Sequence, residues 1–486
     1  MPDTRIAPPP KDKAFGRNWL DRLGVNRFWS QIADRGRGFV SLPSHAINPA
    51  ERATLLADAL LSGRGEASGA AVARELHAVI GNLEVEERLG FYKYLACNFS
   101  PDPARLRAAA EAYIATPDAP TATQLADAAE PPRQELLRRM NFSTGGTAML
   151  VAMRKEIISL LRANPELKPL DSDLHHLFSS WFNRGFLELR RIDWQTPAAV
   201  LEKLITYEAV HEIQGWDDLR RRLSADRRCF AFFHPALPGE PLIFVEVALV
   251  QGLASSVQNL LARDITETEQ RAHATAADTA IFYSISNCQE GLRGISFGNF
   301  LIKQVVEELK AESPNLTQFS TLSPIPGFRK WAEPRLGDDE KTLLAEPDWW
   351  HDAQSSAALQ APLLQLCAEY LTGAGREPSV GRDPNVGREP NAGRDPVAKF
   401  HLGNGARLER INWLGNPGPR GIAESYGMMV NYLYDLATIE ANHEVFVRDN
   451  VIVRSAEVDA MLAPPQTTQN QQQRPRLAAA LAKLRG

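Results

Sequence analysis

No apolar run in the sequence approaches the roughly 20 residues that a membrane-spanning helix requires, and its first residues, MPDTRIAPPPKDKAFGRNW, lack the apolar stretch of a secretory signal. The expectation is a soluble, cytoplasmic protein. Cysteine is scarce: Cys97, Cys229, Cys288 and Cys367 lie far apart, without the paired spacings that zinc or redox sites use. Free thiols in a reducing compartment are expected, and no metal ion. A large charge of one sign is missing too. The formal net charge is -5 over 486 residues, which offers no footprint for nucleic acid or an anionic membrane as partner. His211-Glu212-Ile213-Gln214 begins like the helix of a zinc protease, but position 215 is glycine where the second histidine belongs. His175-His176 and Trp349-Trp350-His351 lack companion ligands. The last residues, Lys483-Leu484-Arg485-Gly486, are not a peroxisomal Ser-Lys-Leu address.

What the chain does have is material for two cores. It is 44% hydrophobic and 23% charged, and it is longer than one ordinary core fills. The fold class expected is α+β in two domains. From about residue 50 to 182 apolar residues recur at three- and four-residue steps, as in Leu150, Met153, Ile157, Leu160 and Leu161, with breaks at Pro101, Pro117, Pro131 and Pro132. Residues 1–182 are therefore read as a helical domain serving scaffolding or oligomerisation.

Residues 183–463 change in texture, with β-rich runs at CFAFFH, LIFVEVALV, TAIFYSIS and LERINWL. Pro238 and Gly239 suggest a hairpin between the first two runs. The run from Ala280 leads through a glycine-containing loop into a helix from about Phe297 to Leu309 and on to the strand QFSTLS, a βαβ layout. Residues 375–396 repeat Gly-Arg-acid-Pro every six residues and have no apolar face, so a flexible insertion is expected there, between a helix ending near Leu371 and a strand beginning near Phe400. Residues 464–486 read as a tail.

Three segments carry chemistry. In SISNCQEGLRGISFGNFLIKQVVEEL, glycines 291, 294 and 298 join a strand to a helix, a setting in which backbone N–H groups and the helix dipole attract an anion. The loop resembles the pyrophosphate loop of the acetyltransferase superfamily: Gln or Arg, two residues, Gly, one residue, Gly or Ala. Arg293 and Gly298 match its ends, and Ser296 stands where the inner glycine belongs. In FSTLSPIPGFRKW, Ser323 ends a strand before Pro324 and Pro326, which restrict the backbone around it. In FHLGNGARLERINWLGNPGPRGIAESYGMMVNYLY, His401 lies beside a strand start, Asn404 and Gly405 form a turn, and Tyr432 and Tyr434 follow as a pair.

Together these strings resemble the malonyl-CoA decarboxylase family: YSIS..Q.GL.G...G.FLIK.VV.EL, then F..LSPIPGF.KW, then FHL.NGA...RINW and NY.Y, with weaker likeness across residues 180 to 450. The resemblance implies an acetyltransferase-like catalytic domain of the acetyl-CoA-binding superfamily, acting on malonyl-CoA as a carboxy-lyase. It implies Ser323 and His401 as the catalytic pair, Ser323 as nominal proton acceptor and His401 as proton donor. It further implies a substrate loop of Arg293, Gly294, Ile295, Ser296, Phe297, Gly298 and Asn299, with Ser284 and Tyr434 at the pocket wall. No cofactor is implied beyond the coenzyme A of the substrate, and a homo-oligomer, tetramer or dimer, is expected. The alternatives on the same fold are a CoA-dependent acyltransferase and a catalytically inactive malonyl-CoA sensor.

Overall fold

The computed structural model describes residues 48–62, 66–262, 265–295, 301–373 and 395–463. These fall into two compact units, one built from the chain up to Glu188 with Phe233–Leu242 and the stretch from Gln289, the other from the remainder.

The first unit is helical: α1 Pro49–Leu61, α2 Glu66–Asn82, α3 Val85–Asn98, α4 Pro103–Ala115, α5 Ala119–Ala129, α6 Pro132–Asn141, α7 Gly146–Leu160 and α8 Lys168–Trp181. The sequence punctuates them. Asn48, Asp102 and Asp118 each accept a backbone N–H of the following first turn, and α1, α4 and α6 place proline where no intrahelical donor is needed. Leu150, Met153 and Ile157 of the expected stripe are buried. In this unit Arg133 is also buried, its Nε donating to Asp173 at 2.7 Å and its Nη1 to the Ala96 carbonyl at 2.8 Å.

The second unit is built on a sheet of β1 Glu188–Ile192, β2 Arg227–Phe233, β3 Pro241–Val250, β4 Thr279–Asn287, β5 Gln318–Thr321, β6 Ser323–Pro324, β7 Arg407–Asn412 and β8 Met429–Leu433. The order is β1-β2-β3-β4-β5-β8-β6, with β7 also paired to β8. From Pro241 to Leu249 every residue of β3 is buried, as a strand covered on both faces must be. Its one charge, Glu246, sits where the register with β4 shifts, and its Oε2 accepts Arg222 Nη1 at 2.7 Å. Burial pushes the Glu246 carboxyl up to about 8, although Arg222 pulls the other way.

The expected βαβ unit is present. Strands β4 and β5 run parallel from Thr279↔Gln318 to Phe282↔Thr321, joined by the helix Leu301–Glu312. They then part: after the Leu322 N–H has bonded the Phe282 carbonyl at 3.0 Å, β4 continues along β3, while Ser323 pairs with Val430 of β8.

One local expectation fails. Phe400 and His401 lie in a helix, Pro396–Gly403, and the strand begins only at Arg407. The last Asp-Pro of the repeat region supplies the reason: Asp395 accepts the N–H groups of Val397 and Ala398, and Pro396 takes the first helical position. The helix ends into Gly405 at φ +82°, where a Cβ would come 2.1 Å from the Ile439 carbonyl oxygen, so only glycine fits. Among the described residues, no helix is long and apolar enough to cross a membrane, and all four cysteines are free thiols.

Candidate active site

Where β5 leaves β4, the sequence Thr321-Leu322-Ser323-Pro324 is extended, as the residue before a proline is biased to be. Thr321 anchors this turn-off. Its Oγ1 accepts the Tyr432 N–H at 3.1 Å and its carbonyl accepts Asn431 Nδ2 at 2.6 Å. The Ser323 hydroxyl donates to the same Thr321 Oγ1 at 2.9 Å, and on its other side Ser323 Oγ stands 3.2 Å from His401 Nε2. Seventy-eight positions in sequence thus close to one hydrogen bond.

His401 reaches this point from the last turn of its helix, and β8 holds the ring. Because side chains two apart in extended chain share a face, Tyr432 of β8 and Tyr434, the residue just past its end, both address it. The Tyr432 ring stacks on the imidazole, with centroids 4.8 Å apart and planes at 24°, and the Tyr434 hydroxyl lies 2.8 Å from His401 Nδ1. His401 is 3% and Ser323 5% exposed.

Burial alone drives the His401 pKa down to about 3, so the ring is neutral at ordinary pH. Burial also holds the Tyr434 hydroxyl well above the usual phenol range, which keeps it protonated and able to donate. With Tyr434 donating to Nδ1, the imidazole proton must sit on Nε2 and face Ser323. The donor chain then runs Tyr434, His401, Ser323, Thr321, every member uncharged. Tyr434 also borders a cavity of about 560 Å³ whose wall includes Lys310, Arg407, Glu409 and Asp435.

The remaining expected site residues are placed differently. Ser284, on β4, turns its hydroxyl to Glu208, 2.8 Å from both carboxylate oxygens, and takes no part in the Ser323–His401 hydrogen bonds. Arg293 and Gly294 are exposed and Ile295 is buried, just after a short helical turn over Glu290–Leu292. In the helical unit that turn is clamped to α7: Arg154 Nη1 donates to the carbonyls of Gly291 at 2.8 Å and Arg293 at 3.0 Å. A Cβ on Gly291 would come 2.0 Å from the Val151 carbonyl oxygen, so this glycine serves close packing on a helix backbone. Ser296, Phe297, Gly298 and Asn299 lie outside the described residues.

Sequence reasoning missed Thr321, for which no motif exists, and noted Asn431 only as the first letter of the NY.Y string and Tyr432 only as half of a tyrosine pair. Among the described residues no group of three or more His, Cys, Asp or Glu is arranged to hold a metal ion.

Comparison with known proteins adds a second line of evidence. A family model described as the malonyl-CoA decarboxylase C-terminal domain matches residues 185–473, and one described as the malonyl-CoA decarboxylase N-terminal domain matches residues 99–182. The mitochondrial malonyl-CoA decarboxylase of Anser anser anser is 38% identical over 361 residues, 68% of this chain and 69% of that relative. Its counterpart in Mus musculus is 35% identical over 362 residues, 68% of this chain and 70% of that relative. The crystal structure of malonyl-CoA decarboxylase from Rhodopseudomonas palustris has a TM-score of 0.76 to this structure at 48% identity, covering 85% of this chain and 99% of that one. The Agrobacterium vitis structure gives a TM-score of 0.75 at 46% identity, covering 85% and 100%.

Proposed function

The chain belongs to the malonyl-CoA decarboxylase family, and on that premise we propose that it is a carboxy-lyase converting malonyl-CoA to acetyl-CoA and CO2, with Ser323 and His401 as the reacting pair. The observation that carries the assignment of residues is the buried, uncharged chain in which the Tyr434 hydroxyl lies 2.8 Å from His401 Nδ1 and Ser323 Oγ lies 3.2 Å from His401 Nε2.

The chemistry asks for two things. When the C–CO2 bond breaks, its electrons pass into the thioester carbonyl, so a donor must meet the developing oxyanion, a contribution of about 3–4 kcal/mol. The resulting carbanion must then take a proton, for which a placed general acid contributes about 3–5 kcal/mol. His401 Nε2–H and the Ser323 hydroxyl are the donors available. We assign the proton on carbon to His401 Nε2; as it leaves, Nδ1 takes the Tyr434 hydroxyl proton, so the imidazole changes tautomer without charging. When acetyl-CoA leaves, Nδ1 returns that proton to the Tyr434 phenolate and a solvent proton restores Nε2–H, so the starting tautomer is regenerated. One proton is consumed per turnover and one CO2 released, which balances malonyl-CoA against acetyl-CoA. The setting suits the substrate as well. His401 has no charged partner contributing to its shift, and a carboxylate brought into such a dry place is relieved of its charge by leaving as CO2.

The thioester is itself the electron sink, so no cofactor step is needed and activity should survive prolonged chelation. The loop from Arg293 to Asn299 is our candidate for the pyrophosphate, and a bulky residue at Gly298 should raise KM. The parting of β4 from β5 supports an acetyltransferase-like placement of the acyl-CoA arm. Ser284 is left to the wall, since Glu208 engages its hydroxyl. We assign the helical unit to homo-oligomerisation and the enzyme to the cytoplasm; light scattering on the intact chain tests the first.

The deciding experiment incubates purified protein with malonyl-CoA alone. Acetyl-CoA and CO2 should appear in equal amounts; release of free CoA only on adding an amine acceptor would mark a transferase, and binding without turnover a sensor. Ser323→Ala and His401→Asn, if folded and still near normal turnover, would refute the assigned pair.

A further inference from the structure

Asp395 is a buried carboxylate that the proposed mechanism leaves unused, and it lies against both arms of the reacting pair. It is 2% exposed. Its Oδ1 accepts the N–H groups of Val397 and Ala398, each at 2.9 Å, and so caps the helix whose last turn carries His401. The same carboxylate accepts a hydrogen bond from the backbone of Gly327, which follows Ser323 by four residues, and the Tyr370 hydroxyl approaches Oδ2 at 3.5 Å. After burial, the Asp395 charge is also the largest influence on the Tyr432 hydroxyl, whose ring stacks on His401.

Capping alone does not call for this residue. Asn or Ser caps a helix as well as Asp does and brings no charge into the interior. Every group that Asp395 bonds among the described residues is uncharged, and burial pushes its carboxyl up to about 6. What a carboxylate adds is acceptor sites for about four donors, with no hydrogen of its own. Four donors meet it here: two N–H groups from the His401 arm, one from the Ser323 arm, and the Tyr370 phenol.

Both arms are stiff enough to carry that hold to the site. Between Ser323 and Gly327 lie Pro324, Ile325 and Pro326, so two of three residues have a fixed φ, and Ile325 and Phe328 are 0% exposed. On the other arm Pro396 takes the first helical position, and His401 follows Asp395 by six residues, about 9 Å along the helix axis. Where the arms meet, Ser323 Oγ and His401 Nε2 are 3.2 Å apart. A tilt of about 6° at the cap would move His401 by about 1 Å, and misplacement of that size costs about 100-fold in rate. We infer that Asp395 is a positioning residue for the proposed decarboxylation, clamping the His401 helix to the Ser323 loop so that the two side chains meet at hydrogen-bonding distance. This rests on the malonyl-CoA reading and extends it to a residue that acts through the reacting pair.

The test is a kinetic cycle. Asp395→Asn keeps the volume and one oxygen for the cap but puts an amide N–H2 among the four donors, so kcat on malonyl-CoA should fall about 10- to 100-fold with KM within about twofold. Asp395→Ser, a good cap too short to reach Gly327 as well, should lose at least as much. Tyr434→Phe loosens the same His401 ring, so the double variant Asp395→Asn with Tyr434→Phe should lose clearly less than the product of the two single losses. A general weakening of the fold would multiply them. Folded Asp395→Asn and Asp395→Ser, checked by circular dichroism, with kcat within about twofold of the wild type overturn the inference; so does a loss carried by KM, and so does a double variant at the full product. Malonyl-CoA decarboxylation by the wild type is the separate control. Its absence sinks the functional reading, whereas multiplying losses in an active enzyme sink only the role of Asp395.

Discussion

His401 should make the protein acid-sensitive by a calculable amount. The ring has a pKa of about 3 when folded, against 6.5 for the free side chain. Between those values the unfolded chain binds a proton that the folded chain refuses, so stability is fully present above pH 6.5 and is lost as pH falls toward 3. At pH 5.0 this one ring favours unfolding by about 2 kcal/mol relative to pH 7.5, and near pH 4 by about 3.4 kcal/mol. His211 and His234, whose pKa values burial also lowers, add in the same direction. The variant His401→Asn isolates the one contribution. Urea unfolding of both proteins at pH 7.5 and 5.0 should show the wild type losing about 2 kcal/mol more than the variant over that interval, the other histidines cancelling. Equal pH slopes would mean that His401 is protonated in the folded protein. The tautomer argument, and with it the uncharged donor chain, would then be wrong. The same neutrality predicts that kcat carries no ionisation near pH 6.5; a rate climbing as pH drops through that value would identify an imidazolium as the acid.

Tyr434→Phe removes the donor to Nδ1 at 2.8 Å and frees the ring to turn its proton away from Ser323, so kcat should fall about 10- to 100-fold with KM nearly unchanged; steady-state kinetics with an unaltered kcat would refute the relay. Gly291→Ala forces a methyl to 2.0 Å from the Val151 carbonyl oxygen and should cost about 1–3 kcal/mol, seen as a lower melting temperature. Arg133→Met leaves Asp173 buried without its cation and should destabilise by about 3–5 kcal/mol. Adding Asp173→Leu should recover most of that loss in the same unfolding assay.

How much of this could be read from the chain depends on the range of the interaction involved. Helix boundaries in the first unit follow from residues within one turn of each other, such as Asp102 before Pro103 or the Asp118–Thr121 capping box, and the β-rich runs fall on strands because continuous apolar sequence must be covered on both faces. The parallel β4–β5 pair was legible for the same reason. The helix bearing His401 was not, although its signal was present: Asp395-Pro396 is a capping residue and a first-turn proline, hidden as the last copy of a repeat of acid-Pro pairs in which Asp383-Pro384 carries the same letters. What marks Asp395 is its place in the fold, where it is 2% exposed and its carboxyl is pushed up to about 6 by that burial.

The site divides along the same line. Ser323 and His401 were reached through resemblance, but their meeting depends on β8, which bonds Thr321 through a backbone N–H and an asparagine side chain and offers His401 two tyrosines from one face. No spacing encodes that. At His401 both ring nitrogens are engaged, one with a hydroxyl from β8's side of the site and one with the serine 78 positions earlier, and that pairing is what sets the group up to pass a proton.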